Sequence, residues 1–248
     1  QFARQRLSSC RYAIKNKKMA CAEKPRIKVL DNVRKDFGVH EKDKKSVSIV
    51  VDPPAERGIS FLQYDYEEKG RQSDQWMYFS AFKKVKRIVS GSENEPKKGS
   101  FFGSEFGYED LEARRLEDYH YTLVKEEKYQ GRDCWVIESI PVPERAQKSN
   151  YSKSVTWLDK QRHLALKVLL YNRQNKREKR ITLRQVKKVN GVWTPFSLSI
   201  NNLLTKRMSQ IHLESVRYNL SVSDEFLTLR TLTDSAFRVA ELKEYRAN

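Results

Sequence analysis

Short runs of alternating apolar and polar residues recur along the chain, cut by Gly, Pro and Asn. Ser46 to Val51 alternates, and Pro53-Pro54 stops it. Ile59 to Tyr66 follows Gly58, and a polar turn around Gly70 leads to Gln75 to Phe79 and then Val85 to Val89. Tyr119 to Val124 and Cys134 to Ile140 flank a Gln130-Gly131 turn. Val155 to Leu158 is followed by a turn at Asp159 to Gln161. In the next run Leu164, Leu166, Val168 and Leu170 share one face, with Ala165, Lys167, Leu169 and Tyr171 on the other. Arg180 to Val189 and Trp193 to Ile200 flank Asn190-Gly191, a strong hairpin signal, and Met208 to Leu220 completes the series. Strands spaced by roughly ten residues predict a mainly β fold, an antiparallel arrangement of about ten strands as one curved sheet or barrel.

Two segments carry helical signals. Tyr108 to Arg115 predicts a short helix, helical from Glu109 to Arg115, and Ser235 to Arg246 an amphipathic one. Ser90 to Ser100 and Pro141 to Ser152 predict loops. With no repeat and no linker, residues 1–248 read as a single domain, least patterned at about 1–22 and 233–248.

Composition changes the picture in three ways. At 248 residues, 38% hydrophobic and 11% aromatic, the chain can bury a core without help from metals. Lysine and arginine outnumber acids by 49 to 32, for a net charge of +17, which suits either acidic partners or a solvated outer sheet face. No apolar run approaches the roughly 18 residues of a membrane helix. The first residue is Gln1, as expected after loss of a signal peptide or in a trimmed chain. Cys10 and Cys21 flank a polar turn, Lys15 to Lys18, where a disulfide between short strands is possible, while Cys134 reads as a small buried side chain.

Candidate chemistry is sparse. His40, His120, His163 and His212 neighbour no nucleophile motif, and Glu109-Asp110 and Glu126-Glu127 are explained by a helix start and a hairpin flank. No catalytic residue, cofactor or metal site is assigned, and the chain reads as a non-enzyme. Basic clusters at Lys83 to Arg87, Lys176 to Arg180 and Arg184 to Lys188 form a stripe that a nucleic acid would accept, yet no nucleic-acid motif accompanies them, and nucleic acid is not expected as a partner.

The run from Gln75 to Ile88, holding Trp76 and Arg87, a polar spacer, and the run from Ser100 to Leu111 together resemble the LolA-like outer-membrane lipoprotein-sorting family of Gram-negative bacteria. Phe101, Gly103, Ser104, Phe106, Tyr108, Asp110 and Leu111 match its central signature, with Glu105 in place of the commoner aspartate. Asp52 to Gly58, Tyr151 to Asp159 with Trp157, Asn190 to Pro195 and Asn201-Asn202 extend the resemblance, while Pro54 and Phe79 depart from the common pattern.

The resemblance implies a half-open antiparallel β barrel with helices across its mouth, a periplasmic location, and carriage of lipid or lipoprotein acyl chains toward the outer membrane. Its divergent branch implies a possible inner-membrane partner, a transporter of the resistance-nodulation-division type. The alternative is an accessory protein of such a transporter that binds no lipid. Apolar alternation nominates Trp157, Leu166, Val168 and Leu170 as cavity lining. The motif residues are left without a role.

Overall fold

Among the described residues, fourteen strands form one antiparallel sheet that does not close. The computed structural model describes residues 1–15, 18–37, 42–92 and 95–247. His40, Asn16 and Lys17 of the predicted turn, and Glu93 and Asn94 of the predicted loop lie outside them. The strands are β1 (Phe2–Lys15), β2 (Lys18–Cys21), β3 (Arg26–Phe37), β4 (Asp43–Asp52), β5 (Ser60–Asp65), β6 (Asp74–Phe79) and β7 (Lys84–Ile88). They continue with β8 (Tyr119–Tyr129), β9 (Arg132–Pro141), β10 (Tyr151–Asp159), β11 (Ala165–Asn172), β12 (Arg177–Val189), β13 (Val192–Asn202) and β14 (Arg207–Arg217). The order is β7-β6-β5-β4-β3-β1-β14-β13-β12-β11-β10-β9-β8, with β2 paired to β1. The sheet thus has more strands than the predicted ten. The additions come from the N-terminal third, where charged residues break the alternation of β1 and β3.

Among the described residues there are three α-helices: α1 (Pro143–Lys148), α2 (Leu229–Thr233) and α3 (Ser235–Ala247). The last matches the predicted amphipathic helix. It starts at Asp234, whose carboxylate accepts the Phe237 N–H at 2.9 Å. α1 lies within the segment predicted as a loop. The predicted helix from Glu109 to Arg115 is a correction: only a 3-10 turn, Glu109–Leu111, forms, and Glu112 is already extended. The acids there do not serve a helix dipole; tertiary partners hold them, as described below.

The tertiary contacts gather into two compact units. The first comprises residues 1–7, 27–89 and 213–248. Its core sets Val33, Val47, Ile49 and Leu62 of the strands against Phe226, Leu227, Leu232, Leu242 and Tyr245 of the C-terminal segment. Each such side chain, fully buried, contributes roughly 1.5–3 kcal/mol. The second comprises residues 8–26 and 90–212. One of its apolar clusters is Cys134, Val136, Trp157, Leu166 and Leu169. In the same unit Cys10 and Cys21 are joined by a disulfide, with Cα atoms 5.7 Å apart. They sit diagonally across the β1–β2 ladder, since Tyr12 is the residue directly opposite Cys21.

Candidate functional site

In the first unit, a cavity of about 610 Å³ lies between β4 and α3. Ile49, Val50 and Val51 supply its sheet wall, and Val239 and Leu242 its helix wall. The helix contributes Ser235, Arg238, Val239, Leu242 and Arg246, a stripe at helical spacing. The rim at the β4–β5 connection is Arg57 and Gly58. Gly58 takes a positive φ of +87°, and its N–H donates to the Val50 carbonyl at 2.8 Å. Its missing side chain matters: a Cβ there would lie 3.2 Å from Arg238 Nη2.

Four arginines and no acid line this cavity. Arg4 and Arg246 converge on Asp31, which is 0% exposed. Arg4 Nε donates to it at 2.9 Å and Arg246 Nε at 2.8 Å. Arg238 is buried, and its Nη1 donates to the carbonyls of Thr231 and Leu232, both at 3.0 Å. Burial pulls its guanidinium below the usual arginine range. Arg57 is exposed and donates from Nε to the Val51 carbonyl at 3.1 Å. Among the described residues, neither Arg57 nor Arg238 has a carboxylate oxygen within 4.0 Å.

The Phe101-to-Leu111 motif belongs to the second unit and is spent on internal ties. Phe101 and Phe106 are buried, and the Phe101 N–H donates to the Phe106 carbonyl at 2.8 Å. Gly103 supplies a positive φ of +73°, and Ser104 Oγ accepts the Phe106 N–H at 3.2 Å. Tyr108 packs its ring against Gly99. Asp110 accepts from the Gly107 N–H, Lys179 Nζ and the Tyr151 hydroxyl at 2.7, 2.8 and 2.6 Å. Burial and Asp110 together push the Tyr151 hydroxyl well above the usual phenol range. Glu109 accepts from Arg145 at 2.9 Å and from the Asn150 N–H at 2.7 Å. Glu105 takes Arg207 Nε at 2.9 Å. A smaller polar recess of about 330 Å³ adjoins this loop, bordered by Lys97, Gly107, Glu109, Tyr151 and Lys179.

Trp76 and Arg87 also have partners within the fold. Trp76 packs against the first unit's core and edge-on to Tyr64, with ring centroids 5.1 Å apart. Arg87 pairs with Asp74, which also accepts the Tyr66 hydroxyl at 2.8 Å.

None of the residues nominated by alternation borders the 610 Å³ cavity. Trp157 and Leu166 pack in the Cys134 cluster, and Lys167 Nζ lies 3.2 Å from the Trp157 ring centroid. A bulge causes this placement. Trp157 faces Lys167 and Leu158 faces Ala165, so Leu166 is the extra residue and turns to the Trp157 side. Val168 and Leu170 point away from that cluster; Val168 pairs with Thr156 and Ile181, and Leu170 with Ser154 and Lys179. Sequence reasoning passed over Arg57, Arg238, Val239 and Leu242. A signal for the last three existed in the spacing of Arg238, Leu242 and Arg246 on the predicted C-terminal helix.

A family model with the description "Uncharacterized protein" matches residues 42–234. No curated protein matches the chain. Among solved structures, a DUF1329 family protein from Desulfovibrio piger is 24% identical with a TM-score of 0.79, covering 93% of this chain and 90% of that one. A domain from Vibrio parahaemolyticus, described as outer membrane lipoprotein-sorting, is 27% identical with a TM-score of 0.75, covering 94% and 90%. A LolA superfamily protein from Nitrosomonas europaea is 16% identical with a TM-score of 0.62, covering 92% and 90%. The fold is LolA-like, as the sequence resemblance implies.

Proposed function

Because this chain belongs to the family whose model spans residues 42–234, and its fold is LolA-like, we propose that it is a periplasmic carrier of lipid or lipoprotein acyl chains. The observation that supports this reading is the aliphatic cavity between β4 and α3. Ligand cavities run to about 300–1,000 Å³, lined mostly by apolar groups with a few polar anchors. At about 30 Å³ per heavy atom in a liquid, 610 Å³ holds on the order of twenty carbons, one acyl chain. The description of the Vibrio parahaemolyticus domain as outer membrane lipoprotein-sorting supports this cargo class. No helix among the described residues is long and apolar enough to cross a membrane. A carrier of this kind needs no catalytic group.

The experiment is binding of a neutral-headed fluorescent acyl probe to protein first stripped of copurifying lipid. Burial of apolar surface drives such binding, so affinity should survive ~0.5 M salt, where charge interactions are screened. Val239 is 62% exposed, so Val239→Trp should fold normally and fill the cleft, weakening the probe by tenfold or more. Stripped wild-type protein that binds no acyl probe would overturn the reading.

A further inference from the structure

We infer that the cavity between β4 and α3 selects an anionic amphiphile, an acyl chain ending in a carboxylate or phosphate, whose head is held by Arg57 and Arg238. This inference rests on the carrier reading and names the ligand class for the same site. Its ground is the division of labour among the four arginines. Asp31 neutralises one of the two positive charges of Arg4 and Arg246 and fixes both side chains in place. Arg57 and Arg238 face the cavity with only backbone carbonyls as acceptors.

A guanidinium that is 8% exposed, with Asp234 acting on it only from beyond ion-pair distance, is costly to keep in an apolar wall. An anion from the ligand would offset that cost. Arg238 directs Nη1 to the end of α2, and its Nη2 approaches Gly58 so closely that a Cβ there would lie 3.2 Å away, so the glycine lets the guanidinium sit at the β4–β5 connection. Arg57 lines the same cavity, with its Nε held at the Val51 carbonyl. Paired forks of this kind suit carboxylate and phosphate oxygens. The aliphatic side chains of Val51, Val239 and Leu242 would take a hydrocarbon tail and exclude a free, fully hydrated anion.

The test is displacement of the fluorescent acyl probe from lipid-stripped protein by hexadecanoate, hexadecyl phosphate, hexadecanol and inorganic phosphate. Charge-assisted hydrogen bonds predict that the two anionic amphiphiles bind about tenfold tighter than the alcohol at low salt. That advantage should shrink as salt rises, while the alcohol's affinity holds. Arg57→Gln, at an exposed position, should bring the anion-to-alcohol ratio toward one in protein that melts like wild type. Arg238→Lys keeps the charge but loses the fork, and should lower the same ratio. Equal affinity for the alcohol and the anions would overturn this inference and leave the carrier reading standing. Inorganic phosphate binding as tightly as hexadecyl phosphate would reduce the site to a free-anion site and overturn it. A ratio unchanged in both variants would remove the arginines from the site. Binding of no amphiphile at all would remove the carrier reading itself.

Discussion

Lys179 Nζ lies 2.8 Å from Asp110 Oδ2, and the two side chains are 10% and 1% exposed, so the central motif of the chain is anchored by a buried ion pair. Asp110 is fully engaged: it also accepts the Tyr151 hydroxyl and the Gly107 N–H. These bonds tie the loop to Tyr151 of β10 and Lys179 of β12, and the loop's residues are the ones the resemblance rests on.

Replacing Asp110 with Asn leaves Lys179 charged and buried without its partner. Breaking one side of such a pair costs about 3–5 kcal/mol. Urea unfolding of Asp110→Asn should show a loss of that size. Under conditions where the variant is folded, its affinity for a neutral acyl probe should equal that of wild type. A selective loss of binding with unchanged stability would instead make the motif a ligand contact.

Gly99 and Gly131 separate close packing from backbone strain. Both have positive φ, +120° and +73°, but a Cβ at Gly99 would lie 2.6 Å from Tyr108 Cε2 and one at Gly131 meets nothing within 4 Å. Gly131→Ala should therefore cost about 1 kcal/mol, from conformation alone. Gly99→Ala adds an overpacking term of about 1–3 kcal/mol. Thermal melts of the two variants should rank in that order, and a reversed order would contradict the packing of Tyr108.

Asp159 makes acid stability sensitive to one carboxylate. Burial pushes its carboxyl up, but the Arg132 guanidinium at 3.0 Å and the N–H groups of Gln161 and Arg162 outweigh this and hold it below the usual aspartate range. Its contribution is therefore complete above the unfolded value near pH 3.9 and is lost as pH falls through the lower folded value. Asp159→Asn should be less stable than wild type at pH 7, with the gap closing toward pH 3. Denaturant midpoints across that range check the sign, and a gap that widens on acidification would refute it.

The three cysteines give a chemical readout of the fold. Without reductant, denatured protein should show one thiol, that of Cys134. In native protein that thiol should alkylate slowly, because burial pushes it above the usual cysteine range and little of it is thiolate. The disulfide joins residues 11 apart in sequence, and closing a loop that short is worth about 2–3 kcal/mol. Replacing Cys10 and Cys21 by Ser should lower the denaturant midpoint accordingly. Three thiols in oxidised, purified protein would contradict the pairing.

Local sequence determined much of this protein. Alternation in β4, β5 and β13, the Gln130-Gly131 and Asn190-Gly191 turns with their positive φ, and the spacing in α3 all act within a few residues and were legible as such. The family signature was legible for a related reason: Gly103, Asp110 and their neighbours form one contiguous loop. Tertiary structure decided the rest. Glu109 and Asp110 sit where a helix start looks favourable, but Arg145, Asn150, Tyr151 and Lys179 bind them more strongly than a helix end would. The bulge at Leu166 reverses the face of one side chain, because a strand's period of two carries no mark of an inserted residue. The cavity itself was invisible in the sequence. Arg57 lies on a turn after β4 and Arg238 on the last helix, and only the packing of α3 on the first unit's strands brings both to one cavity, since buried apolar area rather than sequence neighbourhood decides where a helix lies.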